Sequence, residues 1–131
     1  MTAAGRTDSG VHALGQVANF TTESAIPCEN FRSGLQNFLP EDVVVRDVDE
    51  VSADFHATYA AKSKTYRYII HNSRVPLPHL RHFAWRYSAP LDEQAMQQAA
   101  NVLLGKHDFR CFESHFPNRA TSVRTITDIT I

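Results

Sequence analysis

The densest polar constellation in the sequence is Ala4-Gly5-Arg6-Thr7-Asp8-Ser9-Gly10-Val11-His12-Ala13. It sets a base and an acid close together between glycines. Gly5 and Gly10 accept backbone angles closed to other residues, so the run predicts a tight loop that lifts Arg6 and Asp8 off the scaffold. An aspartate carboxyl presented in water at neutral pH is an anion, fit to act as nucleophile or charge stabiliser. Arg6 offers a forked cation for phosphate, or a charge that favours the ionised form of Asp8. The plain alternative is an Asx turn, with Asp8 bonding nearby backbone.

A second region with chemical potential follows from the charge pattern. Between Glu41 and Asp54 stand six acids and one base, Arg46, whereas Phe55 to Leu91 holds no acid. That acid-free stretch carries Lys62, Lys64, Arg67, Arg74, Arg81 and Arg86, with His56, His71, His79 and His82. It also holds seven of the thirteen aromatic residues. Bases interleaved with aromatics suit a surface that neutralises phosphates and stacks nucleobases. The competing reading makes the aromatics a strand core and the bases its solvated face. The net charge of −1 lacks the cationic excess common in nucleic-acid binders.

Other constellations are poorer. His79 and His82 lie among prolines with no Asp or Cys close in sequence to complete a metal shell. His107 with Asp108, or Ser9 with His12, lacks a nucleophile elbow and a third relay member. Cys28 and Cys111 fit no zinc or redox spacing and point to reduced thiols. No run nears a membrane helix, and Met1 to Gly5 show no secretion signal, so a cytoplasmic protein is expected. At 131 residues, 43% hydrophobic and 21% charged, the chain falls in the soluble globular class.

Several elements are needed to position these residues. Alternation from Leu14 to Thr21 predicts a strand directly after the loop. Phe31, Leu35, Phe38 and Leu39 form the stripe of a short helix between Pro27 and Pro40. Val43 to Val48 and Lys64 to His71 read as strands, the latter placing Tyr66, Tyr68 and Ile70 on one side. Asn72 to Pro78 is loop. Pro90, Asp92 and Glu93 open a helix carrying Ala95, Ala99, Val102 and Leu103, with its stop at Gly105. A loop rich in His, Phe and Asn follows, and Val123 to Ile131 is a closing strand. The order predicts an α+β fold, with helices on one face of a mostly antiparallel sheet. A chain that ends in mid-strand reads as a piece of a longer fold.

The run AGRTDSGVHALGQVANF, Ala4 to Phe20, resembles the catalytic motif of the TruA family of tRNA pseudouridine synthases, which modify uridines in the anticodon stem-loop. FHATYAAKSKTYRYII, Phe55 to Ile70, and LLGKHDF followed by SVRTI, within Leu103 to Ile126, are similar to the same family in the same order. The resemblance implies a pseudouridine synthase-like fold and a cofactor-free isomerase without a metal. It implies that Asp8 is the catalytic aspartate, that Arg6 helps draw the target nucleotide from the stack, and that Tyr66 packs against the target uracil. His12 would be structural or in RNA contact, and Lys62, Lys64 and Arg67 would meet RNA. A tRNA partner, a homodimer and two packed α+β halves are also implied. Residues 1–60 would then be the remainder of the first half and 61–131 the start of the second. The strand and helix before the motif, most of the second half, and a basic partner for the aspartate would lie outside the chain. The alternatives are a non-catalytic RNA-binding piece and, further off, a metal-dependent hydrolase built from the histidines.

Overall fold

The computed structural model describes residues 1–113 and 121–131. They form two compact units, Met1–Tyr66 and Arg67–Ile131.

In the first unit, β1 (Thr2–Ala3) pairs antiparallel with β2 (Ala18–Asn19), Thr2 opposite Asn19 and Ala3 opposite Ala18. The Ala4 N–H donates to the Val17 carbonyl at 2.8 Å and closes the neck of the loop between them. Helix α1 (Cys28–Gln36) begins without a side-chain cap. The Pro27 carbonyl instead takes the N–H groups of Asn30 and Phe31. Phe31 on this helix meets Phe20 edge-on, ring centres 6.0 Å apart. The next segment is extended, and the Gln36 side chain holds it: its amide donates to the Val43 carbonyl and its oxygen accepts from the Val45 N–H, each at 2.9 Å. A turn closed by Phe55 N–H on the Ser52 carbonyl leads to α2 (Ala57–Ala60), a single turn. At that turn the Ser52 side chain, then the residue's own backbone N–H, holds the exposed Asp54 carboxyl below its ordinary pKa.

In the second unit, β3 (Ile70–Asn72) pairs in parallel with β4 (Trp85–Tyr87). Parallel neighbours need a crossover of about a dozen residues or more, which residues 73–84 provide. Asn72 secures the exit of β4: its amide donates to the carbonyls of Tyr87 and Ala89 at 2.9 and 2.6 Å, and its oxygen accepts from Leu91 N–H at 3.3 Å. Helix α3 (Glu93–Asn101) is capped by Asp92, whose carboxylate accepts from the Ala95 N–H at 2.9 Å. Strands β5 (Gly105–Asp108) and β6 (Val123–Ile126) pair antiparallel. Gln97 on α3 repeats the device of Gln36, donating to the Ile129 carbonyl at 3.0 Å and accepting from Ile131 N–H at 2.8 Å.

Both predicted helices are present; α1 stops before Pro40 as expected, while α3 ends at Asn101, short of the Val102, Leu103 and Gly105 stop predicted for it. The sheet differs. Among the described residues there are three separate two-stranded pairs, two antiparallel and one parallel, in place of one mostly antiparallel sheet with helices on a face. Of Leu14–Thr21 only Ala18–Asn19 enters a ladder, because its partner β1 is equally short. Val43–Val48 forms no ladder, its backbone being met by a side chain. Lys64–His71 joins a ladder only from Ile70, where β4 lies alongside. The loop expected after α3 opens instead with β5 and continues into a short helical turn, Arg110–Phe112, while residues 114–120 lie outside the described residues. Val123–Ile131 pairs as far as Ile126 and is then tied down by Gln97. Buried residues are few: Ala57, Ala100 and Ser122 among those described.

The Gln97 ties give a test. Gln97→Leu removes both backbone bonds, and urea unfolding should show a loss of about 1–2 kcal/mol. The Ile131 amide should also lose hydrogen-exchange protection. Gln97→Glu keeps the acceptor but sets a carboxylate against the Ile129 carbonyl, so it should recover none of the stability.

Candidate active site

The loop between β1 and β2 carries Arg6, Asp8 and His12, all exposed. Its tip is a β-turn in which Val11 N–H donates to the Asp8 backbone carbonyl at 3.1 Å. Gly10 takes the third position with φ 79°, the left-handed angle that a type II turn requires there. The turn is thus closed through the backbone of Asp8 and not through its carboxylate. Among the described residues, the side chains of Asp8 and Arg6 make no hydrogen bond or ion pair, with each other or elsewhere.

The backbone beneath them is held at successive carbonyls. Thr58 Oγ1 donates to Ala3 at 2.7 Å, Lys64 Nζ to Ala4 at 3.0 Å, and the Gln16 amide to Gly5. Farther along the loop, Arg46 Nη1 donates to Leu14 at 3.1 Å. Asn19 joins the hairpin to the strap that supplies Thr58 and Lys64: its amide donates to Phe55 at 3.2 Å and its oxygen accepts from Ala57 N–H at 3.0 Å. Gly5 lets the flexible end of Lys64 come close. A Cβ there would stand 2.5 Å from Lys64 Nζ, so the ammonium occupies the space a side chain would fill.

The predicted residues are therefore brought together in part. Lys64 is drawn against the motif loop, and its bond to Ala4 leaves two of its three ammonium protons for other acceptors. Tyr66 ends the first unit, 76% exposed as a residue and with no ring or hydrogen-bond partner among the described residues. Lys62 is exposed in the same unit, and Arg67 is exposed at the start of the second. Sequence reasoning missed the supports Gln16, Asn19 and Thr58. The available signal was a carboxamide, Asn19, on a short strand next to a glycine-bracketed loop, facing backbone that needed partners. Among the described residues no cluster of His, Cys, Asp and Glu is placed to hold a metal, and no helix is long and apolar enough to cross a membrane.

If Lys64 sets the loop, Gly5→Ala and Lys64→Met should shift the amide NMR signals of Arg6, Thr7 and Asp8 alike. Each should cost about 1 kcal/mol. The double variant should cost no more than either single one, since both remove the same contact.

Comparison with known proteins bears on this loop directly. The family model described as tRNA pseudouridine synthase matches residues 1–60, which include it. A tRNA pseudouridine synthase A of Acetivibrio thermocellus is 52% identical over 128 residues, 98% of this chain and 52% of that protein. The protein of the same name from Thermoanaerobacter sp. is 44% identical over 128 residues, again 98% of this chain and 52% of its own length. That from Syntrophotalea carbinolica is 43% identical over 131 residues, 100% of this chain and 52% of the relative. The chain spans about half the length of the curated relatives it matches. By this sequence relationship the chain belongs to the tRNA pseudouridine synthase A family.

Proposed function

We propose that the chain carries the catalytic loop of an enzyme that isomerises uridine to pseudouridine in the anticodon stem-loop of tRNA, with Asp8 as its catalytic residue. The observation that carries this reading is the contrast within one loop. The carbonyls of Ala3, Ala4 and Gly5 are bonded, while the Asp8 carboxylate and Arg6 guanidinium face outward without a protein partner among the described residues. An anion beside an arginine has no use in plain phosphate binding, where it repels the ligand. It does have a use beside a sugar whose bond to its base is breaking.

The reaction breaks the bond from ribose C1′ to uracil N1, turns the detached base, and joins C1′ to C5. The proton on C5 leaves and N1 ends with one, so atoms and electrons balance without an oxidant or reductant. Asp8 supplies the negative charge or the nucleophile for this exchange. A uridine within a stem must first leave the stack, at a cost of a few kcal/mol. Arg6 fills the gap or holds the displaced phosphate, and the exposed Tyr66 ring receives the base by stacking, which contributes about 1–3 kcal/mol. Lys62, Lys64, Arg67 and His12 hold the RNA backbone or the loop that meets it.

The test is a chimaera in which these residues replace the matching part of the Acetivibrio thermocellus relative, incubated with unmodified tRNA. Pseudouridine should form, and Asp8→Ala should lower its rate by at least about a thousandfold while tRNA affinity changes little. Equal rates in the two proteins would overturn the role of Asp8. Binding should weaken with salt, and less steeply after charge removal at Lys62 or Arg67. If binding persists but neither protein forms pseudouridine, the chain is an RNA-binding module only.

A further inference from the structure

Arg46 is the single base between Glu41 and Asp54, a run with six acids, yet among the described residues it forms no ion pair. It reaches instead across 32 residues to the motif loop, where its Nη1 donates to the Leu14 carbonyl at 3.1 Å. We propose that Arg46 is a phosphate-binding residue: anchored on the loop by one N–H, it holds a backbone phosphate of the RNA that the Asp8 loop receives. The proposal rests on the tRNA reading above and adds a contact from the acidic stretch, which that reading does not use.

The bond to Leu14 leaves most of the side chain unused. A guanidinium has five N–H donors, and the Leu14 carbonyl takes one, so four remain. That carbonyl is neutral, hence the positive charge of the exposed Arg46 has no counter-ion among the described residues. A tie to one carbonyl needs only a neutral donor, and this chain uses carboxamides for that purpose at Asn19, Gln36 and Gln97. An arginine in the same place brings a charge and a fork that the tie does not employ.

The neighbouring acids do not close that fork. Side chains alternate along extended backbone, so Asp47 and Asp49 point away from the side that carries Arg46. They line a hollow with Cys28, Glu29 and Arg32 of α1. Phosphate is the ligand that fits, since its oxygens accept a guanidinium fork in two parallel bonds and its charge is opposite. The place of Arg46 on the loop agrees. Lys64 holds the limb before the Asp8 turn at Ala4 and Arg46 the limb after it at Leu14, so a cation is fixed on each limb. An RNA strand that brings one nucleotide to the turn carries a phosphate before and after it.

The chimaera described above serves for the test, with its affinity for labelled unmodified tRNA read by anisotropy over a range of salt. Arg46→Gln keeps a donor for the Leu14 carbonyl and removes the charge. It should weaken binding about tenfold at low salt and flatten the plot of log affinity against log salt by about one counterion. Arg46→Lys keeps both donor and charge and should retain the original slope. Without any variant, phenylglyoxal modification read by mass spectrometry should show Arg46 shielded by bound tRNA, while Arg32, beside Asp47 and Asp49, reacts as in the free protein. That measurement decides the matter if Arg46→Gln does not fold. An unchanged slope in folded Arg46→Gln, or an Arg46 that reacts equally with and without tRNA, overturns the phosphate contact and leaves the tRNA reading standing. Equal shielding of Arg32 and Arg46 would mark general cover and overturn it as well. If the chimaera does not bind tRNA at all, the tRNA reading falls, and this contact with it.

Discussion

Extended backbone without a ladder neighbour leaves a row of N–H and C=O groups to be satisfied. In this chain side-chain carboxamides take the missing neighbour's place. In a strand the carbonyl of one residue and the N–H of the residue two further on point the same way, a spacing that one primary amide spans. Asn19 meets Phe55 and Ala57 in this manner, Gln36 meets Val43 and Val45, and Gln97 meets Ile129 and Ile131. Asn72 does the same for Ala89 and Leu91. Each amide sits on a regular element and captures a segment outside the ladders. With Ala57, Ala100 and Ser122 the buried residues among those described, such directional ties determine where the extended segments lie more than apolar burial does.

This explains which parts of the fold were legible. Helices α1 and α3 show in the sequence because their signals are local: an apolar stripe bounded by Pro27 and Pro40, and an aspartate cap with a capped amide three residues on. Strands depend on partners far along the chain, and that information is not in the segment itself. Val43–Val48 is rich in β-branched residues and still enters no ladder among the described residues, its backbone at Val43 and Val45 being met by Gln36. Gly105-Lys106-His107-Asp108 has poor strand preference and yet pairs fully with Val123–Ile126. Tertiary partnership overrode propensity in both directions. The motif loop was legible for a different reason, since a glycine at positive φ and an acid beside it encode a turn locally.

Charge segregation was equally legible, and overall balance conceals it. A net charge of −1 averages an acidic stretch with an acid-free one. Electrostatic attraction of a polyanion is governed by the local field within a screening length of about 8–10 Å, so charges farther away in space matter little. The aromatics of the acid-free stretch stand largely in solvent: Tyr59, Tyr66, Tyr68, Phe83 and Trp85 are all exposed. The reading that made them a strand core fails here because the ladder that would bury them begins only at Ile70.

The supports of the motif loop follow one rule that bears on its chemistry. Thr58, Lys64, Gln16 and Arg46 all grip backbone carbonyls, and the Asp8 turn is closed through a carbonyl as well. A carboxylate enlisted in holding the loop would have to release those bonds whenever a ligand arrived, and the loop would loosen at the moment it must be rigid. Fixing the chain by its carbonyls separates the two tasks. The path of the backbone is set through its carbonyls, and the side chains of Asp8 and Arg6 stay unbonded among the described residues. Gly5 suits this arrangement, since a Cβ there would stand 2.5 Å from Lys64 Nζ and the flexible lysine end would have to shift.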